Sequence, residues 1–292
     1  MGLEIGILFA FSALVCWGIG DFLIQRSARK FGDWETLFII TAFGAIVLTP
    51  LVYGDVAQLA LAEDDMSFIV LLSVSAILMV AALLDFEALK KGKIAIVEPI
   101  LALEVPVAAI MAFTLINEGL GLLEMALIST LMVGIVLISI KSHHLKRRIW
   151  LEKGAILMTL GAFLMGASNF LVGFASRITN PLFTNWFINA FIAIICFYYI
   201  MTNKRIGKLV GDVRGNIKML LAVSVVDNLA WITFAFATSL IPIAIAVAIS
   251  ESYIALAALL GLLINREILM KHQKAGLVTA LSSAVLLSLI TA

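Results

Sequence analysis

Residues 6–29, GILFAFSALVCWGIGDFLIQRSAR, return 148 positions later as residues 154–177, GAILMTLGAFLMGASNFLVGFASR. The identical pairs in this segment are Gly6/Gly154, Gly18/Gly166, Phe22/Phe170, Leu23/Leu171 and Arg29/Arg177. Further identical pairs include Thr36/Thr184 and Ile46/Ile194 at the same shift, then Ala88/Ala237, Glu118/Glu267 and Ser139/Ser288 at a shift of 149. A nearly constant shift over this length predicts two copies of one structural unit.

The composition places both copies in a membrane. Of the 292 residues 63% are hydrophobic and 13% are charged, and the mean hydropathy is +1.13. Soluble chains are about 45–50% apolar and about 25% charged, so a water-soluble enzyme is excluded. The net charge of +1 gives no basis for binding nucleic acid, and two distant cysteines, Cys16 and Cys196, do not make a disulfide framework.

Ten apolar runs are each long enough to cross a bilayer as a helix, which takes about 20 residues. They are residues 3–25, 34–53, 67–89, 94–116, 122–140, 154–176, 182–201, 217–238, 242–264 and 274–291. The runs are continuous and about twice the length of a barrel strand, so they predict an all-α integral membrane protein with ten transmembrane helices. Little chain remains for an extramembrane domain, and we interpret the first run as a retained helix because no basic leader or cleavage site accompanies it.

Each copy contains five runs, and an odd number makes the second copy enter the membrane from the opposite side. We therefore expect two inverted five-helix repeats, residues 1–140 and residues 154–292, joined by a basic cytoplasmic loop at residues 141–153. Inverted repeats of this kind are common in secondary transporters.

The basic residues are sorted to one side of the predicted membrane. Nineteen of the 20 Lys and Arg residues fall in the loops after helices 1, 3, 5, 7 and 9, and the exception is Arg177. The other loops carry acids instead: Asp55, Glu63, Asp64, Asp65, Glu118 and Glu124. The positive-inside rule makes the basic loops cytoplasmic, so both termini are expected outside the cytoplasm.

The ensemble of these features resembles the EamA type of the drug/metabolite transporter superfamily over essentially the whole chain. The residues that carry the resemblance are Trp17-Gly18, Pro106 twelve residues before Glu118, and Glu267 as the repeat mate of Glu118. The resemblance implies a secondary transporter, frequently an exporter, with a central pathway between helices 1–4 and 6–9 and the fifth helix of each half bracing it from outside.

Two features depart from that family. Its members are often described with cytoplasmic termini, whereas the charge pattern here argues the reverse. In addition, Ala255 stands where the repeat would place a match to Pro106.

Three acids lie about ten residues into their runs, near the predicted midplane: Glu104, Asp227 and Glu251. A carboxyl group at that depth is costly and indicates function, and no Lys or Arg shares the depth, so we interpret the three as proton-coupling residues. A hard cation such as Na⁺ stays open as the coupling ion. Asp85, Glu87 and Glu98 are close enough to Lys90 and Lys91 for structural pairing.

Aromatic and amide side chains accompany the acids. Trp17 with Asp21, and Asp227 with Trp231, are four residues apart on one helix face, and an indole beside a carboxylate suits an organic cation. The predicted substrate-binding residues are Trp17, Asp21, Asn169, Trp186, Asn189, Trp231 and Tyr253. For the aromatic residues simple packing is the alternative, and Asp21 could instead pair with Arg26 or Arg29. Pro99 and Pro106 are expected to bend helix 4.

The sequence therefore predicts a proton-coupled exporter of amphipathic, cationic or zwitterionic compounds in the cytoplasmic membrane, working by alternating access. Its partners are a small-molecule substrate, protons and the lipid bilayer; no cofactor, metal or nucleic acid is expected, and a monomer suffices. The alternatives are a transporter of neutral or lipid-linked metabolites with structural acids, and an intramembrane enzyme, for which no helix supplies a nucleophile beside a base.

Overall fold

The computed structural model describes residues 2–61, 65–91, 100–139, 153–256, 259 and 270–292. These residues form ten α-helices, and none of them lies in a strand. The helices are α1 Gly2–Phe31, α2 Asp33–Leu61, α3 Asp65–Lys91, α4 Glu104–Ile116, α5 Leu122–Ser139, α6 Lys153–Ile178, α7 Pro181–Thr202, α8 Ile206–Leu240, α9 Ile243–Glu251 and α10 Lys271–Thr291.

Eight of these ten helices contain a stretch that is long and apolar enough to cross a membrane. The other two, α4 and α9, are shorter apolar helices within the described residues. The expectation of an all-α membrane protein is confirmed for this part of the chain. Part of predicted helix 4 (94–99) and part of predicted helix 9 lie outside the described residues.

Three helices extend well beyond the runs predicted for them. α1 continues to Phe31, α2 continues to Leu61 and α8 begins at Ile206, where the apolar runs were placed at 3–25, 34–53 and 217–238. The added turns of α1 and α8 contain basic residues that lower the mean hydropathy, so hydropathy alone does not find them. In α8 the backbone departs from helical geometry at Asn216, with φ −139°, close to the point where the apolar run begins.

The most extensive helix contacts join the two halves of the chain. α1 packs on α8, α2 on α7, α3 on α6 and α5 on α10, while α4 lies against α6 and α9, and α9 also packs on α1. Exchanging each helix for its repeat mate turns this set of pairs into itself. The first half and the second half therefore share one core.

Glycines permit the closest of these approaches. A Cβ at Gly134 in α5 would lie 2.7 Å from the backbone nitrogen of Ala280 in α10. A Cβ at Gly166 in α6 would lie 2.7 Å from the carbonyl oxygen of Glu104, and the repeat mate Gly18 faces Tyr253, the position that matches Glu104 at a shift of 149. Two glycines related by the repeat, Gly166 and Gly18, thus pack against two positions that are also related by the repeat.

Candidate functional site

Basic side chains join α1, α2 and α8 at one end of the helix bundle, which we call the basic end. Lys30 Nζ donates a hydrogen bond to Asn216 Oδ1 at 2.6 Å, and Lys208 Nζ donates to the carbonyl oxygen of Phe31 at 2.7 Å. Arg205 pairs with the fully buried Glu35 at 3.2 Å. The loops after helices 1 and 7 therefore share an end, as the sorting of charges predicts.

The opposite end is held by hydrogen bonds around Arg177, which we call the Arg177 network. Its guanidinium donates to the carbonyl oxygens of Thr238 at 2.8 Å and Ile241 at 2.9 Å, and it also pairs with Glu118. The second carboxylate oxygen of Glu118 accepts from the backbone nitrogen of Ile243. A cation thus meets the C-terminus of α8 and an anion meets the N-terminus of α9, as helix dipoles favour.

Between the two ends lies a cavity of about 420 Å³. All ten helices, or residues adjoining them, contribute to its wall. The wall reaches the basic end through Gln25, Asp85, Ile138, Met158 and Gln273, which lie near the basic-loop ends of α1, α3, α5, α6 and α10. The cavity thus extends from the middle of the bundle toward the basic end.

Acids line the described part of the cavity wall and bases do not. Its carboxyl side chains are Asp85, Glu104, Asp227 and Glu251, and no Lys, Arg or His occurs among the described residues of the wall. Glu104 is 4% exposed and Glu251 is 7% exposed. The carboxyl groups of Glu104 and Glu251 are thus largely shielded from water. In such a buried environment the ionised form of a carboxyl group is costly unless a partner compensates its charge.

Glu104 and Glu251 both stand where a helix is interrupted. Glu104 is the first residue of α4, directly after a turn at 102–103, and Pro106 has no N–H to donate to the carbonyl oxygen of Ala102. Glu251 is the last residue of α9, before a turn at Ser252. Interrupted helices near the midplane are typical of the substrate and ion sites of transporters.

Glu104 is bound to α6 through an amide. Asn169 Nδ2 donates to Glu104 Oε2 at 3.1 Å, and Asn169 is 1% exposed. Its other amide atom, Oδ1, is buried and has no hydrogen-bond partner. Such an unmet acceptor costs about 1–3 kcal/mol, so this atom needs an explanation.

An aromatic cluster forms the wall opposite the basic end of the cavity. The indole rings of Trp17 and Trp231 meet edge to face with centroids 5.3 Å apart, and Phe234 packs against both. Tyr253 lines the same cavity beyond the end of α9. The cluster brings α1 and α8 together beside Asp227.

Amides connect α7 to its neighbours. Asn189 Nδ2 donates to Asn228 Oδ1 at 2.9 Å, and Asn228 Nδ2 donates to the carbonyl oxygen of Ile40 at 3.0 Å. Asn185 Nδ2 donates to the carbonyl oxygens of Pro181 and Trp231. These amides fix the positions of α2, α7 and α8 around the cavity.

Most of the residues predicted for the site meet in this cavity. Those on the wall are Trp17, Glu104, Asn169, Asn189, Asp227, Trp231, Glu251 and Tyr253. Trp186 is not on the wall, because its Nε1 donates to Thr49 Oγ1 at 2.9 Å on the outer side of α2 and α7. Pro106 lies behind the wall in α4, whereas Pro99 and the side chain of Asp21 lie outside the described part of the structure.

The wall also contains Asp85, Gln25 and Gln273, which are not among the predicted site residues; Asp85 was assigned to structural pairing with Lys90 and Lys91. Asp85 lines the cavity and is 9% exposed, and a Cβ at Gly161 of α6 would overlap its Oδ1. The signal that could have identified it is the missing side chain at Gly161, which is not visible without knowing that α3 packs on α6. Among the described residues no group of three or more His, Cys, Asp or Glu side chains is placed to hold a metal ion.

Comparisons with known proteins agree with this architecture. A model of the EamA-like transporter family matches residues 4–140 and, a second time, residues 152–289. A crystal structure described only as that of a protein superposes with a TM-score of 0.74 over 98% of this chain and 97% of its own, at 13% identity, which shows a common fold. No curated protein sequence matches the chain.

Proposed function

Because this chain belongs to the EamA-like transporter family, and is thus a membrane transporter of small molecules, we propose that it exports amphipathic cationic or zwitterionic compounds in exchange for protons. Family membership confirms the transporter prediction at the level of small molecules and favours it over an intramembrane enzyme. The proposal adds the substrate charge, the coupling ion and the direction.

One observation carries the proposal: the cavity wall holds four carboxyl side chains and, among its described residues, no base. An anion would meet like charge there, whereas a cation gains Coulomb attraction. The indoles of Trp17 and Trp231 add a cation–π contribution of about 0.5–2 kcal/mol, depending on how far the cation is desolvated. Wall residues such as Leu37, Leu78 and Ile188 suit the apolar part of an amphipathic compound.

The same carboxyl groups support proton coupling. Glu104 and Glu251 are buried in the cavity wall, and a buried carboxyl group is stabilised either by a proton or by a nearby cation. If each transport cycle exchanges a bound proton for a bound substrate cation, the result is antiport. A hard cation such as Na⁺ in place of the proton is a separate outcome of the test below.

The proposed direction of transport, export, is supported by which end of the bundle the cavity reaches. The Arg177 network joins α4, α6, α8 and α9 at one end, while the cavity wall extends to the basic end. If the basic end is cytoplasmic, as the charge rule predicts, this conformation loads substrate from the cytoplasm. In an inverted repeat the opposite conformation arises by exchanging the arrangements of the two halves.

The test is transport by the purified protein in liposomes that contain a pH-sensitive dye. An outward gradient of an aromatic ammonium compound should drive proton movement in the opposite direction. Glu104→Gln and Glu251→Gln should each abolish this movement, whereas Glu124→Gln, outside the cavity in α5, should leave it intact.

Three results would contradict the proposal. Proton movement that is unchanged in both cavity variants would remove the carboxyl groups from the coupling. Flux that requires Na⁺ and ignores pH would replace the proton as coupling ion. Equal or faster flux of a matched neutral or anionic compound would favour the alternative, a transporter of neutral metabolites with structural acids.

A further inference from the structure

The two polar atoms of the Asn169 side chain differ in their hydrogen bonding. Its Nδ2 donates to Glu104 Oε2 at 3.1 Å, and its Oδ1 is buried among cavity-lining residues without a hydrogen-bond partner. The side chain is 1% exposed, so its neighbours cover that oxygen in this conformation and it binds a ligand only when they move. The NH₂ group of the amide is thus used in a hydrogen bond, and its oxygen is not.

The direction of the amide depends on whether Glu104 carries a proton. An ionised carboxylate only accepts hydrogen bonds, so Asn169 must present its NH₂ group to it and its Oδ1 elsewhere. A protonated carboxyl group donates an O–H, and a half-turn of the amide then satisfies that proton with Oδ1. The half-turn places the NH₂ group where the oxygen was.

We propose that Asn169 is a positioning residue that makes the binding of a proton and of an N–H-bearing ammonium group mutually exclusive at Glu104. With Glu104 ionised, a primary or secondary ammonium donates to the carboxylate and to Asn169 Oδ1. With Glu104 protonated, the same ammonium meets the NH₂ donors of the turned amide. This inference rests on the proposed exchange of organic cations for protons, and it narrows the substrate class.

No cation of the protein replaces the ammonium among the described residues. From the helices packed against α4, α6 brings no titratable side chain to the cavity and α9 brings Glu251, with Tyr253 just beyond its end. Asp85 from α3 and Asp227 from α8 line the same cavity. Among the described residues, the titratable groups that share the cavity wall with Glu104 are thus acids and one phenol.

A quaternary ammonium separates this mechanism from simple charge attraction. It carries the same charge as a primary ammonium but has no N–H, so it gains nothing from Asn169 Oδ1. A charge-assisted hydrogen bond predicts that the primary compound binds about 10-fold or more tightly than its quaternary analogue. The preference should shrink as the pH falls and Glu104 takes up its proton.

The experiment measures binding of 2-phenylethylammonium and its N-trimethyl analogue to the purified protein, by calorimetry, at several pH values where both remain charged. In Asn169→Leu the ratio of the two affinities should fall to about 1. Asn185→Leu is the matched control: it removes another amide of the cavity wall, one bound to the carbonyl oxygens of Pro181 and Trp231, and should keep the ratio.

A second pair of variants covers the case in which Asn169→Leu does not fold. In Glu104→Gln the new amide can donate to Asn169 Oδ1 permanently, so the ratio should fall to about 1 and lose its pH dependence. Glu251→Gln removes the same amount of charge without touching Asn169, so both affinities should fall together at an unchanged ratio.

The outcomes distinguish the inference from the function on which it rests. If the wild type binds both compounds in competition with protons but with equal affinity, or if Asn169→Leu and Glu104→Gln both keep the primary preference, the role of Asn169 is wrong and the exporter stands. If neither compound binds at any pH, the proposed exchange of cations for protons is wrong.

Discussion

Removing the guanidinium of Arg177 should open the end of the bundle that it holds. In the proposed alternating access, opening at this end separates α6 from α8 and from the segment that carries Glu118, so we expect the hydrogen bonds of Arg177 only in the closed conformation. Arg177→Ala deletes two bonds to backbone carbonyls and the pair with Glu118. The open conformation loses nothing comparable.

The magnitude follows from the burial of the two partners. The side chains of Arg177 and Glu118 are 27% and 16% exposed, so their ion pair is partly screened and contributes about 0–1 kcal/mol. The two bonds to carbonyls add about 1 kcal/mol each. A total of about 2–3 kcal/mol corresponds to a shift of about 30–150-fold in the equilibrium between closed and open conformations.

Cysteine labelling measures that shift. In a variant without Cys16 and Cys196, a single cysteine at Ala237, fully buried beneath the network, should react with a maleimide in proportion to the open population. Arg177→Ala should raise the rate of labelling by up to about 30–150-fold. Arg177→Lys should raise it by less, because lysine keeps the positive charge, but the rate should still exceed that of the wild type, because one ammonium cannot make all the hydrogen bonds of the planar guanidinium. The control is Arg214→Ala, exposed near the basic end. A rate that Arg177→Ala leaves unchanged in a folded protein would refute the closing role of the network.

Three further predictions concern orientation, substrate and packing. A reporter that is active only in the cytoplasm should stay silent when fused after Ala292, and activity would overturn the charge-based orientation. Trp231→Ala should weaken binding of an aromatic ammonium by about 2–30-fold, from about 0.5–2 kcal/mol of cation–π energy, while proton uptake persists; unchanged binding would make the indole a packing residue. Gly134→Val should lower the melting temperature through a destabilisation of about 1–3 kcal/mol, because its Cβ would overlap Ala280, and Gly119→Val, which has open space, should not.

The sequence predicts the helices well where hydropathy changes sharply. The fifth run, 122–140, corresponds to α5 at Leu122–Ser139. The start of α8 was misplaced because residues 206–216 mix aliphatic residues with glycines and the charged Lys208, Asp212 and Arg214, and so continue the helix below the hydropathy of a membrane span. Hydropathy reports the thickness of the membrane, whereas a helix ends where its backbone hydrogen bonds end.

The site could be predicted by depth and charge but not by facing direction. Glu104 and Glu251 are predicted as site residues because a carboxyl group at the midplane is costly whichever way it points, and both line the cavity. Trp186 is predicted from its residue type alone, whereas its indole donates to Thr49 away from the described cavity wall. The position of Asp85 on the cavity wall could not be predicted, because Gly161, against which it packs, is distant in sequence.

The pairing of α1, α2 and α3 with helices of the other half bears on how the protein is made. The ribosome delivers α1–α3 to the membrane before α6, α7 and α8 exist, at about 5–20 residues per second. For several seconds the first half resides in lipid as inserted but unassembled helices, with acids such as Asp85 awaiting their final surroundings. Assembly of the helix bundle therefore waits until α8 has been synthesised. A chain truncated before that point leaves α1 without its main packing partner, so we expect it to be degraded by membrane quality control.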